Sequence, residues 1–322
     1  MKAKNKKEKI LITGAAGYIG SLLVTELVKL NYQVIALDIL KYNQHSLSHL
    51  HFYKNFNFIK GDVTNPTVLK KVLKGCNYII PLAALVGAPL CDKYKKKTKE
   101  INVNSIRLLL KLVNKKQKII YPTTNSGYGI GEKNKYCDEN SPLRPVSLYG
   151  ITKLKAEELI LKHKNSVCFR LATVFGYSYR MRTDLIVNNF VEKAVNTNKL
   201  EIFEPHFRRN FVHIRDVVSS FIFAINNFQK IKNNVFNLGL SSANITKLML
   251  AKKIKKEVRD LKIKIVKNAK DPDQRDYFVS NKKIENAGFK ATITLETGIK
   301  ELVKLFKVSD VDFINNYWLK NF

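Results

Sequence analysis

Cysteine is scarce in this 322-residue chain, and the four thiols, Cys76, Cys91, Cys137 and Cys168, form no Cys-x-x-Cys pair. No His stands at metal-ligand spacing from them, so no metal site is expected, and scattered thiols fit a reducing cytoplasm better than a disulfide scaffold. Acidic residues are also short, with 26 Asp+Glu against 57 Lys+Arg for a formal net charge of +31. Gathered in one tract, such an excess would mark a nucleic-acid or membrane surface. The lysines instead run along the whole length, as in the Lys- and Asn-rich composition an AT-rich genome produces, so neither partner is expected. A positive surface still steers an anionic substrate inward. Long hydrophobic runs are missing as well. The longest, Tyr78 to Cys91, is too short and too broken by proline to span a bilayer. Met1 to Lys9 is basic and precedes an apolar stretch, but Gly14, Gly17 and Gly20 cut that stretch and no convincing cleavage site follows, so a secretory signal is rejected. A soluble cytoplasmic protein is the expectation. With 45% hydrophobic residues and only 14 Gly and 8 Pro, the chain is globular and not disordered.

What the sequence does contain is alternation. Short β-branched runs at Lys9–Thr13, Gln33–Asp38, Asn57–Lys60, Tyr78–Leu82, Lys118–Thr123 and Ser166–Leu171 read as strands. Helical periodicity fills Tyr18–Leu30, Ile101–Val113 and Tyr149–Lys162. Apolar strands separated by helices predict an α/β fold with a Rossmann-type doubly wound parallel sheet. After Thr173 the alternation weakens, with helices at Asp184–Asn196, Asp216–Asn227, Thr246–Leu261 and Leu295–Lys307 and a short strand at Val235–Leu238. The division expected is a dinucleotide-binding domain over 1–173, with a returning segment around 208–240, and a smaller C-terminal α+β substrate lobe mainly over 174–322.

The first strand runs into Gly14-x-x-Gly17-x-x-Gly20 and then a helix. Glycine permits a tight turn and a close backbone approach to a pyrophosphate, whose charge the helix N-terminus favours. Strand, glycines and helix in that order nominate Gly14, Gly17, Tyr18, Ile19 and Gly20 as cofactor contacts. Asp38 closes the second strand, where a carboxylate holds both ribose hydroxyls of NAD and repels a 2′-phosphate. No Arg follows it directly, so NAD is expected over NADP. Asp62 and Val63 follow the third strand, where Asp62 reads equally as an adenine contact or a strand-end turn. Ala83 and Ala84 follow the fourth and offer small side chains beside the cofactor.

Tyr149 and Lys153 stand four residues apart at the start of a helix and project from one face. A tyrosine hydroxyl titrates near 10 and is a poor base at neutral pH. An adjacent ammonium favours the phenolate, so Lys153 is expected to activate Tyr149 while holding the nicotinamide ribose. Tyr149 then removes a hydroxyl proton from the substrate, and Thr124, at the end of the fifth strand, hydrogen-bonds the same oxygen.

The order of these motifs, with Thr123-Thr124…Tyr128-Gly129, resembles the extended short-chain dehydrogenase/reductase family from about Lys9 to Phe306. The resemblance implies a homodimer, or a higher homo-oligomer, paired through the helices at Ile101–Val113 and Tyr149–Lys162. The second half is similar to the family's nucleotide-sugar enzymes. Arg209, in Arg208-Arg209-Asn210-Phe211-Val212-His213, and Arg275, in Asp271-Pro272-Asp273-Gln274-Arg275, match arginines that hold the diphosphate of the substrate, and Asn188 matches a diphosphate-binding asparagine. Guanidinium forks suit phosphate geometry. Where dehydratases of this family carry an Asp-Glu pair after the catalytic Thr, this chain has Asn125-Ser126, which cannot expel a hydroxyl by acid–base chemistry.

The segments Pro81–Cys91, Asn125–Lys133 and Phe169–Gly176 resemble bacterial GDP-D-glycero-D-manno-heptose 4-dehydrogenases of capsular polysaccharide biosynthesis. That resemblance implies oxidation of GDP-heptose at carbon 4, tightly held NAD, 2-oxoglutarate as hydride acceptor, and sugar contacts at Val86, Asn125 and Ser126. A nucleotide-sugar 4-epimerase uses the same 4-keto intermediate and stays open as the alternative. A non-catalytic NAD- or RNA-binding protein of this fold is disfavoured by the intact Thr124, Tyr149 and Lys153.

Overall fold

The computed structural model describes residues 8–132, 135–266 and 275–308. Lys133 and the 271–274 stretch leading into Arg275 lie outside the described residues, as do most of the basic start and the end of the proposed substrate lobe.

Seven parallel strands form the main sheet: β1 (Lys9–Thr13), β2 (Gln33–Asp38), β3 (Phe56–Lys60), β4 (Tyr78–Pro81), β5 (Lys118–Thr124), β6 (Ser166–Leu171) and β7 (Asn234–Leu238). Their order is β7-β6-β5-β4-β1-β2-β3, so the chain starts in the middle, winds one way and then the other. β1 sits between β2 and β4, with Ile12 beside Ala36 and Ile80, and Ile10, Leu11 and Ile12 are wholly buried because both faces are covered. Helix α1 (Tyr18–Lys29) and the helix Ile214–Asn226 pack over Ile10, Ile12 and Phe169. On the other face α2 (Pro66–Leu73), α3 (Ser105–Leu112) and α4 (Leu148–Leu161) cover Leu11, Ile79 and Tyr121.

The strand read at Val235–Leu238 is therefore the outer strand of the large sheet, parallel to β6. Helix α2 went unread, although Asn65 caps it through Thr67 N and Val68 N and Pro66 opens it. The helix expected over Ile101–Val113 begins with a π-turn at Glu100–Asn104 before α3. The cause is tertiary. Asn102 is buried with its amide accepting from Leu85 N (2.8 Å) and donating to Leu85 O (2.9 Å), which pulls the turn towards the loop after β4.

The rest of the chain folds over the C-terminal edge of the sheet. Strand Arg208–His213 pairs in parallel with Thr173–Phe175 and antiparallel with Asn244–Thr246. Lys199–Phe203 pairs in parallel with Lys262–Val266. Phe175, Val187, Leu250 and Leu302 belong to the same apolar cluster as Ile10 and Ile12, so this lobe is welded to the sheet. Among the described residues no helix is long and apolar enough to cross a membrane.

One buried ion pair joins α4 to the sheet. Glu157 accepts from Arg170 of β6 at 2.7 Å and 3.1 Å, and both side chains are 5% exposed. Arg170 also donates to the Tyr128 hydroxyl (3.0 Å), which donates to Asn237 of β7 (2.7 Å). Removing one member of a buried pair strands the other charge. Glu157→Ala is expected to lose about 3–5 kcal/mol in urea denaturation; a loss under about 1 kcal/mol, the range of exposed pairs, would show that the pair does not hold α4.

Candidate active site

β1 ends at Thr13 and the chain reverses at Gly14, with φ +66°; a Cβ there would lie 2.6 Å from Ala83 N, so the turn sits directly against the loop after β4. At Gly20 a Cβ would lie 2.4 Å from Gly14 O, so only glycine lets α1 start this close. Gly17, the N-cap, supplies no side-chain hydrogen bond, which leaves the first-turn N–H groups for an anion. Asp38, at the end of β2, accepts from Ala16 N (3.0 Å) and Leu40 N (2.7 Å). Burial raises its carboxyl above the usual range, and those backbone donors oppose the shift.

These residues open onto a cavity of about 250 Å³. Gly14, Gly17, Tyr18, Ile19, Gly20, Asp38, Asp62, Val63, Ala83, Ala84, Val86, Tyr149 and Lys153 all line it. The structure thus gathers every cofactor residue nominated from the sequence, and Val86 with them. Asp62 keeps both of its readings: it lines the cavity, and one oxygen accepts from Thr64 N (2.8 Å) to close a turn. The glycine cradle, the uncapped helix end and the Thr123 hydroxyl on the same cavity, which has no partner among the described residues, suit a dinucleotide. Sequence reading missed Tyr42, Arg180 and Arg182 on the same wall, and Asn102, which also reaches Thr152 of α4 at 3.3 Å.

Next to the cavity-lining Thr123, Thr124 shares a hydrogen bond with Ser126 Oγ (2.8 Å) and lies near enough to the Tyr149 hydroxyl to favour its phenolate. Arg275 reaches across from beyond β7, and its Nη1 donates to Ser126 Oγ. The arginine nominated for the substrate diphosphate thus lies beside the hydroxyls nominated for catalysis. Asn125 is 1% exposed, and neither amide atom has a partner among the described residues.

Six nominated residues are not part of the cavity wall: Thr124, Asn125, Ser126 and Arg275, which form the cluster next to Thr123, and Asn188 and Arg209. Asn188 is wholly buried, its amide accepting from Gly176 N (3.0 Å) and donating to Arg182 O (2.9 Å), so it organises the loop over the cavity. Arg209 is 3% exposed and donates to Arg208 O (2.9 Å), while Arg208 is held by Asp276 at 2.9 Å.

The electrostatics of Tyr149 and Lys153 differ from the sequence expectation. Burial raises the Tyr149 hydroxyl, and Arg182, Arg275 and Thr124 oppose that rise, with Cys91 adding to it. Lys153 is 4% exposed, its Nζ 4.0 Å from the centre of the Tyr121 ring, and burial pulls it down to about 7, against smaller contributions from Cys168, Glu157 and Cys91. The cations that favour the phenolate, Arg182 and Arg275, come from the second half of the sequence, and the ammonium of Lys153 itself needs an anionic neighbour to stay charged.

Residues 10–239 match the family described as "NAD dependent epimerase/dehydratase family". The chain belongs to it. A putative UDP-glucose 4-epimerase of Methanocaldococcus jannaschii is 27% identical over 92% of this chain and 98% of its own length. The uncharacterized UDP-glucose epimerase YtcB of Bacillus subtilis is 30% identical over 75% of this chain and 80% of its own. Among solved structures, UDP-glucuronic acid 4-epimerase of Bacillus cereus, in complex with UDP-glucuronic acid and NAD, superposes with a TM-score of 0.83 at 27% identity, covering 93% of this chain and 99% of that one. NAD is the cofactor, and Asp38 and the α1 N-terminus are the groups suited to a ribose and a pyrophosphate.

A lysine depressed from 10.5 to about 7 destabilises the fold fully below pH 7, and the penalty fades as pH rises towards 10.5. Lys153→Met is accordingly expected to raise the melting temperature of the cofactor-free protein near pH 6 and to change it little near pH 10. Turnover should fall about 10²-fold or more. Equal thermal shifts at both pH values would contradict this assignment.

Proposed function

We propose that the protein oxidises a nucleotide-activated sugar at carbon 4, with GDP-D-glycero-D-manno-heptose as substrate, its 4-keto form as product and 2-oxoglutarate as terminal acceptor, in capsular or surface polysaccharide biosynthesis. The observation that carries the reading is that Tyr149 and Lys153 both line the NAD cavity, with Thr124 near enough to Tyr149 to favour its phenolate. Bound NAD supplies the hydride acceptor. Tyr149, as the phenolate, takes the proton of the C4 hydroxyl, Thr124 holds that oxygen, and Arg182 and Arg275 stabilise the charge on Tyr149 in between. Lys153 holds the nicotinamide ribose.

The residues after Thr124 support oxidation without dehydration. Asn125 and Ser126 carry no carboxyl group, and Ser126 is engaged by Arg275. The orphaned Asn125 amide is well suited to a sugar hydroxyl, which both donates and accepts. The likeness of Pro81–Cys91 and Phe169–Gly176 to GDP-heptose dehydrogenases favours the heptose. A 4-epimerase is the second reading, favoured by the relatives that bear that name. The helix faces proposed for dimerisation expose Arg107, Lys111, Lys155 and Lys162 beside Ile151 and Glu158, so pairing there is expected to tighten as salt screens the repulsion.

Incubating the enzyme with GDP-D-glycero-D-manno-heptose and 2-oxoglutarate, followed by NMR, tests the reading. Hydroxyglutarate formed in step with a 4-keto sugar establishes the dehydrogenase. A new heptose isomer without hydroxyglutarate establishes the epimerase, and no change in either removes this sugar from consideration. Tyr149→Phe is expected to abolish turnover while NAD stays bound; retained turnover would overturn the role of Tyr149.

A further inference from the structure

The segment that leaves the strand Thr173–Phe175 crosses the cavity and is stitched to the first two turns of α1. Tyr18 Oη donates to Gly176 O (2.7 Å), Ser178 Oγ donates to Tyr18 O (2.6 Å), the hydroxyls of Ser178 and Ser21 lie 2.9 Å apart, and Arg180 N donates to Ser21 Oγ (3.3 Å). Asn188 holds both ends, through Gly176 N and Arg182 O. Every one of these side chains is buried.

What the stitched segment carries is charge. Arg180 and Arg182 both line the cavity that the glycine turn lines. Arg180 is 3% exposed, with its guanidinium 4.9 Å from the centre of the Tyr42 ring. Arg182 is paired with Asp184 through Nε (3.1 Å) and Nη2 (2.5 Å), so its Nη1 makes no hydrogen bond to another described residue. Two guanidiniums in one enclosed space repel. Burial, and then Arg182, hold Arg180 below the usual arginine value, while Tyr42, Asp184 and Asp38 act against them. Asp38 is engaged at the far wall by backbone donors, and Asp184 neutralises one cation only. The uncapped N-terminus of α1 lines the same cavity and also favours an anion. The two guanidiniums and the helix end therefore bring positive potential to one space, which the glycines keep clear.

We infer that Arg180 and Arg182 complete a diphosphate site with the glycine turn, gripping the pyrophosphate of NAD from the second lobe while the α1 N-terminus grips it from the first. Guanidinium forks match adjacent phosphate oxygens, and each charge-assisted bond also relieves the repulsion between the two arginines. A diphosphate has two sources in this enzyme, the cofactor and the nucleotide sugar. The shared wall with Gly14, Gly17 and Asp38 assigns it to the cofactor. The inference rests on the NAD cavity and is independent of which sugar is oxidised.

The test compares Arg180→Gln and the double variant Arg182→Gln/Asp184→Asn, which neutralises the ion pair as a unit, with the unaltered protein. The readouts are NAD retained through dialysis and dissociation constants for NAD, ADP-ribose and GDP by titration calorimetry. Each variant is expected to weaken NAD and ADP-ribose alike, by about tenfold or more, with GDP affinity unchanged. Unchanged NAD affinity overturns the site, and lost GDP affinity with NAD intact gives the arginines to the substrate and overturns it equally. Should either variant fail to fold, Arg180→Lys keeps the charge and loses the fork. It is then expected to release NAD several-fold faster, and wild-type retention would sink the proposal.

Discussion

Glu157 lies one helical turn beyond Lys153 on α4, and its carboxylate meets the Arg170 guanidinium inside the protein. Charges so far from water are tolerated only when each is matched in position, so the pair fixes the rotation and height of α4 against β6. Tyr149 and Lys153 inherit their positions from it. The same guanidinium holds the Tyr128 hydroxyl, and with it the turn that follows Thr124, while Asn237 ties that hydroxyl to β7. Gly129, at the end of this turn, has φ +65°, and a Cβ there would overlap Arg144 O. The hydroxyls proposed for catalysis, on two elements, thus face each other because the Glu157–Arg170 pair leaves neither element another place to sit.

The large sheet was legible almost to the residue. Its central strands are apolar on both faces, and helices separate most of them, so β1, β2 and β6 begin and end where the residue pattern says. The glycine turn and Tyr149-x-x-x-Lys153 were legible because local spacing is itself the chemistry. Other features depend on partners far along the chain. Nothing near Asn102 announces a π-turn, since its cause is the backbone of Leu85. Arg180 and Arg182 lie in a loop without periodicity, so no local pattern says which way they point. Asn188 matches a ligand-binding position by resemblance, yet its amide is taken up by Gly176 and Arg182. Residues whose role is to hold a loop and residues that hold a ligand share one vocabulary of amides and guanidiniums, and only packing separates them.

Burial also rearranges the electrostatics that the motif suggests. A lysine four residues from a tyrosine reads as its activating cation. Inside the protein the lysine is desolvated over Tyr121, and the tyrosine is served instead by arginines that arrive from 182 and 275. This end of the site therefore draws on both halves of the sequence: strand β5 and helix α4 supply the hydroxyls of Thr124 and Tyr149, and Arg182 and Arg275 from the second half supply the compensating charge.

The stitch between Tyr18, Ser21 and the 176–180 segment has a mechanical consequence. A hinge usually opens at a seam of weak contacts, but this seam is made of buried hydrogen bonds to the same helical turn whose N–H groups face the cavity. Swinging the segment outward drags on that turn, so opening the cleft along this edge and deforming the phosphate cradle are a single motion. The segment is thus fastened to the cradle on the very side where a seam between the two would otherwise part.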